Sequence, residues 1–194
     1  MVNEEKEILR FLIEHKEQKF SINQITKARK INYKSAYQNI NKLEKRGVIL
    51  AEKLGNITLC SFNYKFDPLV FNVEWERSED IQKNKIIKSI SRDLKEVEVP
   101  FFTALLFGSY AKGTQNKNSD IDILIIIDDM KDFENIRLTM SILPFNIHIV
   151  NVTSNEFLSM VKSKEFSVIE EVKKNNIILF GIENYYNLIK NVRY

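Results

Sequence analysis

Apolar residues recur at helical spacing in the first third of the chain and in short unbroken runs through the last half. Ile8, Phe11 and Leu12 place an amphipathic helix over residues 3–17. Ser21 is placed to cap a second helix carrying Ile22, Ile25 and Ala28. Asn32 is placed to cap a third, with Ala36, Ile40 and Leu43 on one stripe and Gly47 as the residue that ends it. The period then changes: residues 48–54 and 57–63 are β-prone runs around Gly55-Asn56, the pattern of a hairpin. Residues 67–78, with Pro68 and Trp75, read as a connector. Ser78 is expected to cap a helix to about residue 97, with Ile81, Ile86, Ile87, Ile90 and Leu94 apolar and Pro100 beyond it. That helix packs on a sheet or forms a seam with a second copy of the chain. Runs 101–107 and 121–127 read as strands, 132–138 as a short helix and 145–152 as a strand. Residues 154–163 read as a helix capped by Ser154, 167–175 as a helix, 177–180 as a strand ending at Gly181, and 183–191 as a last helix. Tyr185, Tyr186 and Tyr194 read as packing residues. The order predicts an α+β chain whose second half is a small mixed sheet with helices on one face.

The chemistry concentrates between the strands at 101–107 and 121–127. There the chain reads Gly108-Ser109-Tyr110-Ala111-Lys112-Gly113, then Ser119-Asp120-Ile121-Asp122. Asp120 and Asp122 are two apart, so on a strand they face the same way. Two carboxylates at a strand end suit a hard divalent cation such as Mg²⁺. A Gly-Ser turn opening a helix turns backbone N–H groups towards phosphate oxygens. Lys112 is close enough in sequence to reach a phosphate. Phosphate cradle and metal clamp together suit phosphoryl or nucleotidyl transfer.

The run GSYAKGTQNKNSDIDILI resembles the signature of the polymerase-β-like nucleotidyltransferases, and within them the minimal nucleotidyltransferases. The resemblance covers about residues 101–153. It implies a nucleotidyltransferase-like domain over 99–194, an NTP held by Gly108, Ser109, Lys112 and Ser119, and Mg²⁺ held by Asp120 and Asp122. Such enzymes usually carry a third carboxylate on a later strand. In this register His148 stands there. His148 either replaces the base or weakens metal binding, since imidazole is a poorer Mg²⁺ ligand than a carboxylate. Asp128, Asp129 and Glu156 are nearby acids that could substitute. Similar small proteins act as antitoxins of two-gene modules, which makes a toxin-like protein a candidate partner. The competing reading is a regulator that senses a nucleotide or partner without turnover.

Composition narrows the setting. The chain has 194 residues, 44% hydrophobic and 28% charged, as in ordinary globular proteins. No apolar run approaches the ~20 residues needed to span a bilayer, and the acidic, amphipathic start is unlike a signal peptide. A single cysteine, Cys60, fits a reducing cytoplasm. The net charge of +3 is unevenly placed. Residues 19–53 hold nine Lys+Arg against Glu44 and Glu52 alone. Such a local excess is the footprint of a nucleic-acid-binding face.

Three helices and a hairpin over residues 1–67 resemble a winged helix-turn-helix domain, with SAYQNINKLEKRGVI in the place of the recognition helix. That resemblance implies duplex DNA as a partner, contacted by Asn32, Tyr33, Lys34, Ser35, Tyr37, Gln38 and Lys42, with Lys53 near the wing tip. Gln and Asn suit adenine edges and Lys suits phosphate. Residues 68–98 would then be connector and helix.

Overall fold

The computed structural model describes residues 3–163 and 168–190. The chain folds as two compact units, the first ending at Val73 and the second beginning at Glu74.

The first unit begins with α1 (Glu4–Glu14), capped by Asn3. Then follow β1 (Phe20–Ser21), α2 (Ile22–Arg29) and α3 (Tyr33–Arg46). Ser21 caps α2 in a reciprocal box with Gln24, and Asn32 caps α3 by accepting from the Lys34 amide at 2.9 Å. Gly47 ends α3 at φ +73°, a conformation open to glycine at little cost. β2 (Ile49–Leu54) and β3 (Ile57–Phe62) form the hairpin, with Leu54 paired to Ile57 across Gly55-Asn56. The sheet has three strands in the order β1-β3-β2, not two. β1 is two residues long, too short to leave a period in the sequence. Ile8, Leu12, Ile25, Ala36, Ile40, Leu43, Ile49 and Cys60 are buried in this unit.

The expected connector is a helix, α4 (Pro68–Ile81). Proline blocks a helix interior but fits its first position, where no amide partner is needed. The Asp67 carboxylate completes that start by accepting from the Leu69 amide at 2.8 Å. Ser78 therefore lies inside α4. The next helix, α5 (Lys85–Glu96), is capped by Asn84, whose side chain accepts from the Ile86 amide at 2.9 Å.

The second unit continues with β4 (Thr103–Phe107), α6 (Gly108–Lys112), β5 (Ile121–Ile126), α7 (Met130–Ser141) and β6 (Ile147–Val152). It closes with α8 (Ser154–Ser163), α9 (Val168–Lys174), β7 (Ile177–Phe180) and α10 (Ile182–Ile189). Sheet order is β6-β5-β4-β7, with β5 and β6 parallel and the other neighbours antiparallel. The parallel pair needs a crossover, and α7 supplies it.

Both faces of this sheet are covered, contrary to the one-sided arrangement expected. Ile87, Ile90 and Leu94 of α5 and Phe133, Ile136 and Met140 of α7 pack with Ala104, Leu106, Ile121, Ile123 and Ile125. Each fully buried aliphatic side chain of this kind contributes about 1.5–3 kcal/mol. α5 therefore packs on the sheet. Leu105, Phe107, Leu124 and Ile126 point the other way and are also buried, and α9 and α10 pack against β4. Alternation hid the second layer because β5 is apolar at nearly every position, as strands buried on both faces are.

Thr153, not Ser154, caps α8. Its hydroxyl accepts from the Glu156 amide at 3.2 Å, and the Glu156 carboxylate accepts from the Thr153 amide at 2.8 Å. That bond holds the Glu156 carboxyl below the usual carboxylate range. Tyr185 and Tyr186 are fully buried. Residues 167, 191 and 194, assigned above to helix ends and packing, lie outside the described residues.

Glu74, Arg77 and Tyr186 form a buried polar group in the second unit. The Tyr186 hydroxyl donates to Glu74 at 2.8 Å, Arg77 pairs with Glu74, and Arg77 also donates to the Asn176 carbonyl at 2.8 Å. Burial, and then the Glu74 charge, push the Tyr186 hydroxyl well above its usual pKa, so it acts as a neutral donor. Glu74→Ala strands a buried guanidinium and is expected to cost about 3–5 kcal/mol. Tyr186→Phe, which leaves the ion pair intact, is expected to cost about 1 kcal/mol. Urea unfolding of both variants measures this; equal losses would show that the ion pair is not what the network rests on.

Candidate functional site

The site lies where β4 gives way to α6 and where β5 begins. Phe107 pairs with Asp122 across the antiparallel β4–β5 ladder, so Gly108 meets the Asp122 side chain. Gly108 sits at φ +68°, and a Cβ there would collide with Asp122 Oδ2 and lie 3.1 Å from its Cγ. Glycine is thus required twice, by backbone conformation and by space. Ile121 and Ile123 point into the α5–α7 layer, so Asp122 points to the opposite face. Asp120 shares that face and is exposed, while Asp122 is half-buried.

The parallel neighbour β6 holds both carboxylates in place. Asp122 pairs with His148, whose Nδ1 lies 3.2 Å from Asp122 Oδ1. Two residues earlier, the Asn146 side-chain amide donates to Asp120. The two contacts repeat the i, i+2 spacing on both strands. Sequence reasoning missed Asn146, although parallel pairing of β5 and β6 puts it beside Asp120.

Gly108, Asp120, Asp122 and His148 are thus brought together, with Ser109 next to Gly108. The other expected phosphate ligands have partners of their own. Lys112 Nζ is 2.6 Å from Glu171 on α9. The Ser119 hydroxyl accepts from the Asn116 amide at 2.9 Å and closes the turn before Asp120. No pattern in the sequence announces Glu171.

The three acids that could have replaced a third carboxylate lie at the other end of β5, about 20 Å along an extended strand. Each is engaged there. Asp129 caps α7 through the Lys131 amide at 2.7 Å. Asp128 accepts from the Ser154 amide at 2.7 Å and hydroxyl at 2.9 Å. Glu156 is held by Thr153. Among the described residues no group of three or more His, Cys, Asp and Glu side chains is arranged to hold a metal. Two hard oxygen donors on one face remain, Asp120 and Asp122, and they fit a hard divalent cation better than a soft one.

In the first unit, α3 presents Tyr33, Lys34, Tyr37, Gln38 and Lys42 outward, with Tyr33 51% and Tyr37 48% exposed. Lys53 is exposed beside the hairpin turn. The side-chain oxygen of Asn32 is used by the helix cap. Ser35 is half-buried and its hydroxyl donates to Glu4. Of the nine basic residues over 19–53, Lys19 pairs with Glu52, Arg29 with Glu7 and Glu14, and Arg46 with Glu5 and Asp67. Lys27, Lys30, Lys34, Lys42, Lys45 and Lys53 form no ion pair among the described residues. No described helix is long and apolar enough to cross a membrane.

A family model described as a nucleotidyltransferase domain matches residues 83–179, half of the chain. The protein adenylyltransferase MntA of Shewanella oneidensis is 39% identical over 54 residues, 28% of this chain and 36% of that protein. The chain therefore matches about a third of that relative's length. A solved structure described as a toxin–antitoxin with AMP-PNP aligns with 54% of this chain and 77% of its own, at 24% identity and a TM-score of 0.31.

Gly108 and Gly113 allow a controlled comparison. Both have positive φ, but a Cβ at Gly113 would meet nothing within 4 Å. Gly113→Ala is expected to cost about 1–2 kcal/mol for the left-handed backbone alone. Gly108→Ala adds the displacement of Asp122 and is expected to cost at least about 1 kcal/mol more. Thermal unfolding measures the difference; equal costs would show that Asp122 does not depend on the missing side chain.

Proposed function

The chain belongs to the nucleotidyltransferase-domain family, and from that premise we propose that it binds a Mg²⁺–NTP and transfers a nucleoside monophosphate to a protein hydroxyl. The observation that carries this reading is the contact of Gly108 with Asp122, which sets that carboxylate beside the Gly-Ser turn, with Asp120 two residues before it on the same face. Asp120 and Asp122 would hold Mg²⁺, and Gly108 and Ser109 would hold the β- and γ-phosphates through backbone N–H groups and hydroxyl. A bound divalent ion, which nucleotidyltransferase domains generally use, neutralises phosphate charge. The acceptor oxygen bonds to the α-phosphorus as the bond to the bridging oxygen breaks, and pyrophosphate leaves. With Nδ1 turned to Asp122, the tautomer that donates there leaves the Nε2 lone pair to take the acceptor's proton. The acceptor class and the adenylyl group rest on the partial likeness to the Shewanella protein. A toxin-like partner protein is the acceptor to try first.

Duplex DNA binding belongs to the same proposal. The three helices, the hairpin and the unpaired lysines of the first unit support a winged-helix reading in which α3 enters the major groove. Tyr33, Tyr37 and Gln38 then face bases, and Lys34, Lys42 and Lys53 face phosphates. Asn32, whose side-chain oxygen also caps α3, and Ser35, whose hydroxyl also donates to Glu4, complete the proposed contact set.

A second reading, a nucleotide-sensing regulator with little turnover, is favoured by one observation. His148 is the neighbour of Asp122, and no acid stands in its place.

Asp120→Asn and Asp122→Asn are each expected to weaken Mg·ATP binding several-fold in calorimetry. Unchanged affinity in the double variant would remove the metal site. If His148 only weakens the metal, His148→Asp strengthens Mg²⁺ binding and raises transfer of labelled AMP. If His148 is the base, His148→Ala abolishes transfer and His148→Asp does not restore it. Wild-type turnover of about 1 per second or faster would reject the sensing reading.

For DNA, contact with six phosphates predicts a log–log salt slope of roughly −5, and Lys34→Ala is expected to reduce it by about one. A slope that ignores Lys34 and Lys42 would reject α3 as the phosphate-contacting helix.

A further inference from the structure

The two acids of the site are not held alike. Asp122 is half-buried, set against Gly108 and 3.2 Å from His148 Nδ1. Asp120 is exposed and lies one residue before β5 begins. Among the described residues its side chain has one hydrogen-bond partner, the side-chain amide of Asn146. An exposed carboxylate at a strand end samples several rotamers unless a neighbour fixes it.

Asn146 is itself held by the main chain. Its carbonyl accepts from the Ile121 amide at 3.0 Å, which carries the parallel register one step before the Ile121–Ile147 pair. Ile147 and Ile149 turn towards the α5–α7 layer, so Asn146 and His148 share the opposite face, that of Asp120 and Asp122. The bond to Ile121 uses the backbone of Asn146, and any residue there can make it. The side chain is exposed and adds little to the core. What it does is donate to Asp120 Oδ1, which leaves Oδ2 for another ligand.

The chemistry of the amide suits that task. A lysine or arginine could donate equally well but would repel a cation at Asp120, and an ionised carboxylate could not donate at all. An amide donates without charge. Carboxylates that ligate metals are commonly fixed by hydrogen bonds of this kind, and losing one costs about 10–100-fold in metal affinity. We infer that Asn146 is a positioning residue for the divalent cation: it holds one oxygen of Asp120 and presents the other to the ion. The inference rests on the Mg²⁺–NTP reading and adds to it a residue outside the nucleotidyltransferase signature.

The test uses the full chain without nucleotide. Mn²⁺ replaces Mg²⁺ as an oxygen-liganded ion, and its free form is read by electron paramagnetic resonance. The variants are Asn146→Ala, Asn146→Asp, Asp120→Asn and Asp120→Asn/Asn146→Ala, each checked by circular dichroism melting. Asn146→Ala is expected to weaken Mn²⁺ binding about tenfold. Its melting temperature is expected to stay within about 2 °C of wild type, as for an exposed residue. Asn146→Asp, the same shape with a negative charge, is expected to strengthen Mn²⁺ binding severalfold by Coulomb attraction. In the Asp120→Asn background Asn146→Ala is expected to change nothing further, because its effect passes through Asp120. Equal weakening by Asn146→Ala with and without Asp120 overturns the inference. So does unchanged affinity in Asn146→Ala where Asp120→Asn weakens binding. Weaker binding in both Asn146 variants together with lower melting temperatures overturns it in favour of a purely structural role. Unchanged affinity in Asp120→Asn and Asn146→Ala alike rejects the metal site itself, and the inference with it.

Discussion

The contact between the Gly108 backbone and the Asp122 carboxylate is the constraint on which the site depends. Antiparallel pairing of Phe107 with Asp122 brings the end of one strand and the start of the other together. Any side chain at residue 108 would occupy the space the carboxylate fills. The left-handed conformation at Gly108 turns the chain from β4 directly into α6. One residue without a side chain therefore sets the turn, the start of the helix and the position of the acid. The parallel strand β6 then fixes the carboxylates from the other side through Asn146 and His148.

Features governed by local chemistry were legible in the sequence. Ser21 and Asn32 cap because their side chains reach amides two or three residues on, and Gly47 ends α3 because a left-handed residue is needed there. The Gly55-Asn56 hairpin and the strand ending at Gly181 are likewise short-range. The Asp120–Asp122 spacing named one face of a strand, and the fold keeps it. What failed depended on position within an element or on distant neighbours. Pro68 looks the same whether it breaks a helix or starts one, and only Asp67 beside it decides. β1 exists because Phe20 meets Cys60, forty residues away. The second helical layer is hidden because β5 is apolar on both sides. Asn146 and Glu171 become visible only when strand register and helix packing are known.

Charge in this chain is partitioned more sharply than its composition suggests. In the first unit, acids on α1 and at Asp67 absorb Arg29 and Arg46, the two arginines within 19–53, while most lysines stay outward. Arginine's planar fork suits these partly buried pairs, and lysine's hydrated head suits solvent and phosphate. The lysines left outward on α3 are the charge on which the proposed DNA contact of the first unit rests.

Among the described residues no third acid joins Asp120 and Asp122, and this has a structural origin. Asp128, Asp129 and Glu156 cluster where β5 and β6 end, and each satisfies amide groups at the start of α7 or α8. Moving any of them to the site would leave helix-start amides without acceptors and would require crossing the length of the sheet. The fold thus commits its nearby acids to helix starts at one end of the sheet and only two to the other. In the proposed nucleotide site, charge compensation for the phosphates would come from a cation held by those two carboxylates, from the backbone at Gly108-Ser109, and from Lys112 if it exchanges Glu171 for phosphate. His148 adds a donor or an acceptor but no permanent charge, so it can steer a proton more readily than it can hold a second metal.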